Sequence, residues 1–249
     1  MEEDKNIFSS ELEVFRGEVS EAIQYFYAYL SIHASLSDNK KALQIVNKAP
    51  MLWKTVLGAL STSFFIVLGR IFDQNSKHNI DRLIKVAQNN TAIFSKEALE
   101  VRKRSLSKNA DEWIKDYIKD VYEPQSGDFR RLRRHVFNYR KIYENRYRDI
   151  RRKIHAHKEL SKLDDMQKLF NNTNIREMEK LSIFLNKLHG CLWELYHNGK
   201  KPILRPMRYS VKSMRKSILP DGWNSHVQEH MVQEVEKFFR IISPERKGK

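Results

Sequence analysis

A chain of 249 residues can bury a substantial core, and 41% hydrophobic with 31% charged residues excludes both a disordered polymer and a membrane bundle. Lys and Arg outnumber Asp and Glu by 46 to 31, and the resulting +15 favours a polyanionic partner through counterion release and long-range field. With 8 Gly and 6 Pro there are few sites for the turns of a many-stranded sheet, and one cysteine, Cys191, excludes an internal disulfide and a thiolate metal cluster.

An all-α chain is therefore expected. The first segment, 4–37, spaces Leu12, Phe15, Val19, Ile23, Phe26 and Leu30 by threes and fours, one face of a long helix. Its acidic start (Glu2, Glu3, Asp4) is unlike a secretory signal, and a cytoplasmic location is the expectation. Ser37, Asp38 and Asn39 break the pattern before a short helix at 40–46. The most apolar run, 49–69, has only Lys54 charged. Its length suits a membrane span, but Ser61, Thr62 and Ser63 at its middle and the lack of a second span predict a central buried helix and no membrane partner.

Shorter helices follow at 81–88, 95–105 and 110–122, the last closed by Pro124. From Ser126 the spacing predicts an uninterrupted helix to about Leu160, roughly 50 Å at 1.5 Å per residue. Asn171 to Asn174 mark a turn, 175–197 is a helix closed by Asn198 and Gly199, and 201–220 is a basic, Pro-punctuated connection. A last amphipathic helix covers about 224–242, and a polar tail starts near 243. With no internal repeat, residues 1–249 are expected to form one domain, a bundle of long antiparallel helices with additional short ones.

The charge is concentrated on the long helix. Between Arg130 and Lys153 stand eleven cations against Glu144 and Asp149, a local surplus of nine. A solvated helix face normally mixes signs, so Arg130, Arg131, Arg133, Arg134, Arg140, Arg152 and Lys153 are candidate nucleic-acid contacts. Phe129, Phe137, Tyr139, Tyr143 and Tyr147 interleave with them as stacking surfaces or as core.

The end of this helix reads Arg148, Asp149, Ile150, Arg151, Arg152, Lys153, Ile154, His155, Ala156, His157. An Arg followed by His after four to six residues, near the end of a long helix in an all-α chain, resembles the signature of HEPN proteins. With Lys153 two residues after Arg151 and Ala156–His157 closing the motif, it is similar to the abortive-infection, AbiU-type branch of that superfamily. Leu68, Gly69, Arg70, Ile71, Phe72 and Asp73 resemble that branch's earlier helix end. The branch prefers Asn, Asp or His directly after its Arg, where this chain has Arg152. A second register, Arg148 with Asp149 and His155, supplies the acidic neighbour. Arg151 and His157 are favoured, with Arg148 and His155 as reserves.

The resemblance implies an HEPN-like helical bundle and a metal-independent endoribonuclease without cofactor. It would be a toxin or anti-phage effector cutting RNA where two protomers join their motifs. Imidazole suits proton transfer to or from a ribose 2′-hydroxyl, and a guanidinium suits a phosphoryl group gaining charge. At 100° per residue Arg151 and His157 lie about 120° apart around one helix, so a homodimer or a helix break must pair them. Arg148, Arg151, Arg152 and His155 share a face. The alternatives are a non-catalytic RNA-binding HEPN protein and a helical interaction module controlled by a partner chain, such as an antitoxin or other defence partner.

Elsewhere His226 and His230 stand at metal-compatible spacing with nothing to join them, so no metal site is expected. Arg70 and Asp73 suggest a helix-end ion pair, and Arg205, Arg208, Lys212, Arg215 and Lys216 could extend a nucleic-acid surface. Gly-rich phosphate loops, Gly-flanked nucleophilic serines and paired cysteines are missing from the sequence.

Overall fold

The computed structural model describes residues 2–156, 174–206, 210–216 and 227–243, with 2–6 and 153–156 described by their backbone alone. The helices in chain order are α1 (Glu2–Asp38), α2 (Lys40–Val46), α3 (Pro50–Phe72), α4 (Ile80–Asn89), α5 (Lys96–Leu106) and α6 (Ala110–Lys119). There follow α7 (Ser126–Arg146), α8 (Arg148–Ala156), α9 (Ile175–Asn198), α10 (Val211–Met214) and α11 (Val227–Ile242), and a 3-10 turn, Thr91–Phe94, precedes α5. Among the described residues there is no strand, and the protein is all-α.

Polar residues set the helix starts. The side-chain oxygen of Asn39 accepts from the N–H groups of Lys41 and Ala42 at 3.0 Å, Asn79 accepts from Arg82 N–H at 2.9 Å, and Ser95 from Ala98 N–H at 3.2 Å. Each such cap contributes about 1 kcal/mol. Gly199 ends α9 at φ +60, with its N–H on the Leu195 carbonyl (3.1 Å) and Lys200 N–H on that of Glu194 (3.2 Å). A Cβ here would stand 2.6 Å from Val121 Cγ1 and 2.9 Å from Leu99 Cδ2, so backbone and packing both require glycine.

The chain divides into two compact units. One is built from Met1–Val19, Gly69–Asn145 and Phe184–Met207. Its interior is aromatic: Phe8 meets Phe94 and Tyr196 with ring centroids 5.1 Å apart in each case, Phe94 meets Phe129, and Phe72 stacks on Tyr143. Arg70 of α3 reaches Glu18 at 2.7 Å. The other unit comprises Ser20–Leu68, Arg146–Ile183 and Arg208–Lys249. There Phe26 stacks on Phe64, and Ile32, Ala42, Val46 and Phe239 form a cluster against which Trp53, Leu57 and Leu60 pack.

Two expectations need correction. The apolar run is α3, which is long and apolar enough to cross a membrane, yet only its second half is buried. Phe64, Phe65, Leu68 and Phe72 are enclosed, whereas Met51 and Leu52 are 75% and 59% exposed. The long helix from Ser126 is interrupted: α7 stops at Arg146 and α8 starts at Arg148, with Arg151 N–H bonding the Tyr147 carbonyl at 3.1 Å. Neither Gly nor Pro marks that point, and Tyr147, the residue between the two helices, is buried.

One buried titratable group makes stability depend on pH. Burial first, then the neighbouring Arg16 charge, pushes the His189 imidazole down to about 4, beside Phe15 at 6.3 Å. Above the ordinary value of 6.5 the ring is neutral whether folded or not, and it has no effect. Below 6.5 the unfolded chain takes up a proton that the folded chain refuses, so stability falls with pH until about 4. Urea unfolding at pH 7 and pH 4.5 should show His189→Asn gaining on the native chain by about 2–3 kcal/mol at the lower pH. Equal losses in both chains would remove His189 as the cause.

Candidate nucleic-acid interface and catalytic motif

The inner stripe of α7 runs Phe129, Leu132, Val136, Arg140 and Tyr143, all buried, at spacings of three and four. Arg140 is therefore not on the outward surface as the charge count suggested. It is 8% exposed, its guanidinium bonds the Asp81 carboxylate of α4, and its Nε lies 3.8 Å from Glu144. Its position on the apolar stripe was the available signal. Arg131 is exposed but bonds Asp128 at 2.7 Å. Asp128 also accepts from the Tyr122 hydroxyl (2.7 Å) and Gln125 N–H (3.0 Å). Burial alone would raise this carboxyl, but the bonds from Gln125, Tyr122 and Arg131 outweigh burial and hold it below the usual carboxylate range.

Arg130, Arg133 and Arg134 remain on the exposed face of α7. Two clefts open beside them. One, of about 340 Å³, lies among Asn79, Asp81, Arg82 and Lys85 on the α4 side and Arg133 and Arg140 on α7. The second, about 330 Å³, shares Asp81, Arg133 and Arg140 with it and adds Arg130, Arg134 and Phe137. The cations of α4 were not among the sequence candidates, because nothing local links residues 82 and 85 to 133.

The aromatic residues of this segment separate by face. Phe129, Tyr143 and Tyr147 are core, and Tyr139 stacks on Phe184 with centroids 3.9 Å apart. Phe137, one residue past Val136 of the stripe, is 44% exposed, with Lys141 Nζ 4.6 Å and Arg140 Cζ 5.5 Å from its ring centre.

The motif helix α8 begins just after Tyr147. This residue is 1% exposed, stacks on Phe65 with centroids 5.6 Å apart, and donates its hydroxyl to Glu177 at 3.1 Å. Burial, with the Glu177 hydrogen bond second, pushes the phenol up to about 12. Glu177 also pairs with Arg146 at 3.0 Å, so one carboxylate from the first turn of α9 holds both the last residue of α7 and the residue of the interruption. Asn174 fixes that turn by accepting from Arg176 and Glu177 N–H at 3.0 and 3.4 Å.

On α8, Ile150 is buried, and Arg148 and Arg151 are half-buried, with the Nε of Arg151 enclosed by protein. Arg152 points outward, 4.0 Å from Asp149 and 72% exposed at the side chain, so the residue that departs from the family preference lies on the solvent side. Lys153 and His155 belong to α8 by their backbone, their side chains lie outside the described residues, and so does all of His157.

Arg215 of the late basic connection is structural. It is 15% exposed at the side chain, bonds Asp38 (2.5 Å) and Ser35 Oγ (2.9 Å), and forms an ion pair with Glu236 (3.1 Å). His230 sits exposed on α11, His226 lies outside the described residues, and among the described residues no three His, Cys, Asp or Glu come together as a metal site.

No curated protein and no solved structure matches the chain. The model of the family AbiU2, an abortive-infection branch of the HEPN proteins, matches residues 5–212 of the 249, and the chain belongs to that family.

Proposed function

We propose that this AbiU2-family protein is a metal-independent endoribonuclease, a toxin or anti-phage effector whose site is completed by a second copy of the chain. The observation carrying this reading is the placement of Arg151. It is drawn into the protein on a short helix separated from the basic helix α7, while Arg152 beside it faces water. A guanidinium held in this way is preorganised to brace a phosphoryl group, because its donors are oriented before charge develops.

The chemistry uses the substrate's own nucleophile. An imidazole takes the proton of a ribose 2′-hydroxyl, the 2′-oxygen bonds to phosphorus, and the bond from phosphorus to the 5′-oxygen breaks. The products are a 2′,3′-cyclic phosphate and a 5′-hydroxyl that receives a proton from a second imidazole. His157 from each protomer supplies these two groups in this reading, and Arg151 neutralises the pentacoordinate phosphorus. A regular helix would set positions 151 and 157 about 120° apart, and pairing across a dimer removes that conflict.

The test is incubation of the purified chain with total RNA in EDTA. Cleavage leaving cyclic-phosphate ends, lost in His157→Ala, supports the reading. Tight RNA binding with no cleavage by a clean dimer gives a non-catalytic RNA-binding protein instead, and neither binding nor cleavage gives a partner-controlled module.

A further inference from the structure

The clefts between α4 and α7 hold cations that no carboxylate among the described residues pairs with. The one carboxylate among their lining residues is already engaged, Asp81 by Arg140, and the lining Arg82 is itself paired with Glu11 (2.8 Å). Arg130, Arg133, Arg134 and Lys85 have no carboxylate partner among the described residues. Like charges collected in a cleft repel one another, and a bound polyanion relieves that repulsion while releasing its own counterions.

The cleft also contains an aromatic ring. A lone exposed Phe is ordinary on a protein surface. Phe137 differs in its surroundings: it lines the same 330 Å³ cleft as Arg130, Arg133 and Arg134, with Lys141 against its ring. Residues 130, 133, 134, 137 and 141 follow one face of α7 for about 16 Å. Guanidinia beside an exposed aromatic ring are the parts from which single-strand binding grooves are made, because every unpaired base offers a face to stack on and none does inside a duplex.

We infer that the groove between α4 and α7 binds single-stranded RNA, with Arg130, Arg133, Arg134 and Lys85 on its phosphates and Phe137 stacked on a base. The protein thereby selects unpaired RNA over duplex. The inference rests on the RNA reading above and adds to it a capture surface in the unit that does not contain Arg148 and Arg151. Arg140 is a positioning residue here, its pair with Asp81 joining the two walls of the groove.

The experiment is fluorescence anisotropy on the full chain carrying His157→Ala, so that the probe survives. The probes are a labelled 12-nucleotide oligouridylate, an RNA duplex of the same length, and polyglutamate. Phe137→Ala should weaken oligouridylate binding about tenfold and leave the duplex unchanged. Arg133→Ala with Arg134→Ala should weaken both RNAs and lower the salt slope by about one per residue removed. All three positions are exposed on α7, so the variants should keep the native circular dichroism spectrum. Unchanged oligouridylate binding in Phe137→Ala, or equal affinity for single strand and duplex, overturns the inference while leaving the RNA reading intact. Polyglutamate binding as tightly as RNA makes the groove a seat for an acidic protein and also overturns it. Binding of neither RNA at low salt overturns the RNA reading itself.

Discussion

Tyr147→Ala is expected to lower the free energy of unfolding by about 3–5 kcal/mol, about 10 °C in Tm, the cost of emptying a fully buried aromatic site. Tyr147→Phe should lose only about 1 kcal/mol, because it keeps the stack on Phe65 and gives up the hydroxyl donated to Glu177, which retains Arg146. The two variants separate packing from hydrogen bonding at the one place where the basic helix is interrupted. If the interruption directs α8, then RNA cleavage falls in Tyr147→Ala even at a temperature where the variant is fully folded, and persists in Tyr147→Phe. Urea unfolding and cleavage assays on the same samples check both parts. A folded Tyr147→Ala chain with native cleavage would show that α8 is oriented by other contacts.

That interruption also shows where the sequence stops being informative. The apolar periodicity of α1 identified its core face: Leu12, Phe15, Val19, Ile23 and Phe26 are all buried. Cap residues located two helix starts for the same reason, since Asn39 and Ser95 act on backbone groups two or three positions away. At Tyr147 the deciding partners are Phe65 and Glu177, and no local rule connects residues 65, 147 and 177. The basic helix lies between these cases. Its charge surplus was plain, and so was the stripe at 129, 132, 136, 140 and 143, but counting arginines without placing them on the stripe put Arg140 outside with Arg133 and Arg134. The same stripe excludes Phe137, so its exposure could have been read from spacing. The joining of α4 to α7 could not, because it depends on an ion pair 59 residues apart in the chain. For α3, hydropathy gave the length of the helix correctly and its burial only in part, because hydropathy measures composition while burial depends on which neighbours arrive.

Arg151→Ala and His157→Ala are each expected to lower the RNA cleavage rate by about 10²- to 10⁴-fold, the range for losing a positioned proton-transfer group or a charge brace. Arg148→Ala and His155→Ala should retain most of the rate. The half-buried state of both Arg148 and Arg151 does not choose between the registers, and the pattern of losses does. If the second register were the working one, the pattern of losses would reverse, and Asp149→Ala would then matter because it removes that register's acidic neighbour. Lys at position 151 gives a further distinction. It keeps the charge and loses the planar fork, so Arg151→Lys should recover only part of the rate if the guanidinium holds two phosphoryl oxygens, and all of it if only a nearby positive charge is needed. Mixing native chains with an excess of His157→Ala chains tests the shared site directly. Nearly complete loss of cleavage is expected, because each mixed dimer holds one His157 where the site needs one from each copy, whereas loss only in proportion to the dilution would place a complete site in each copy.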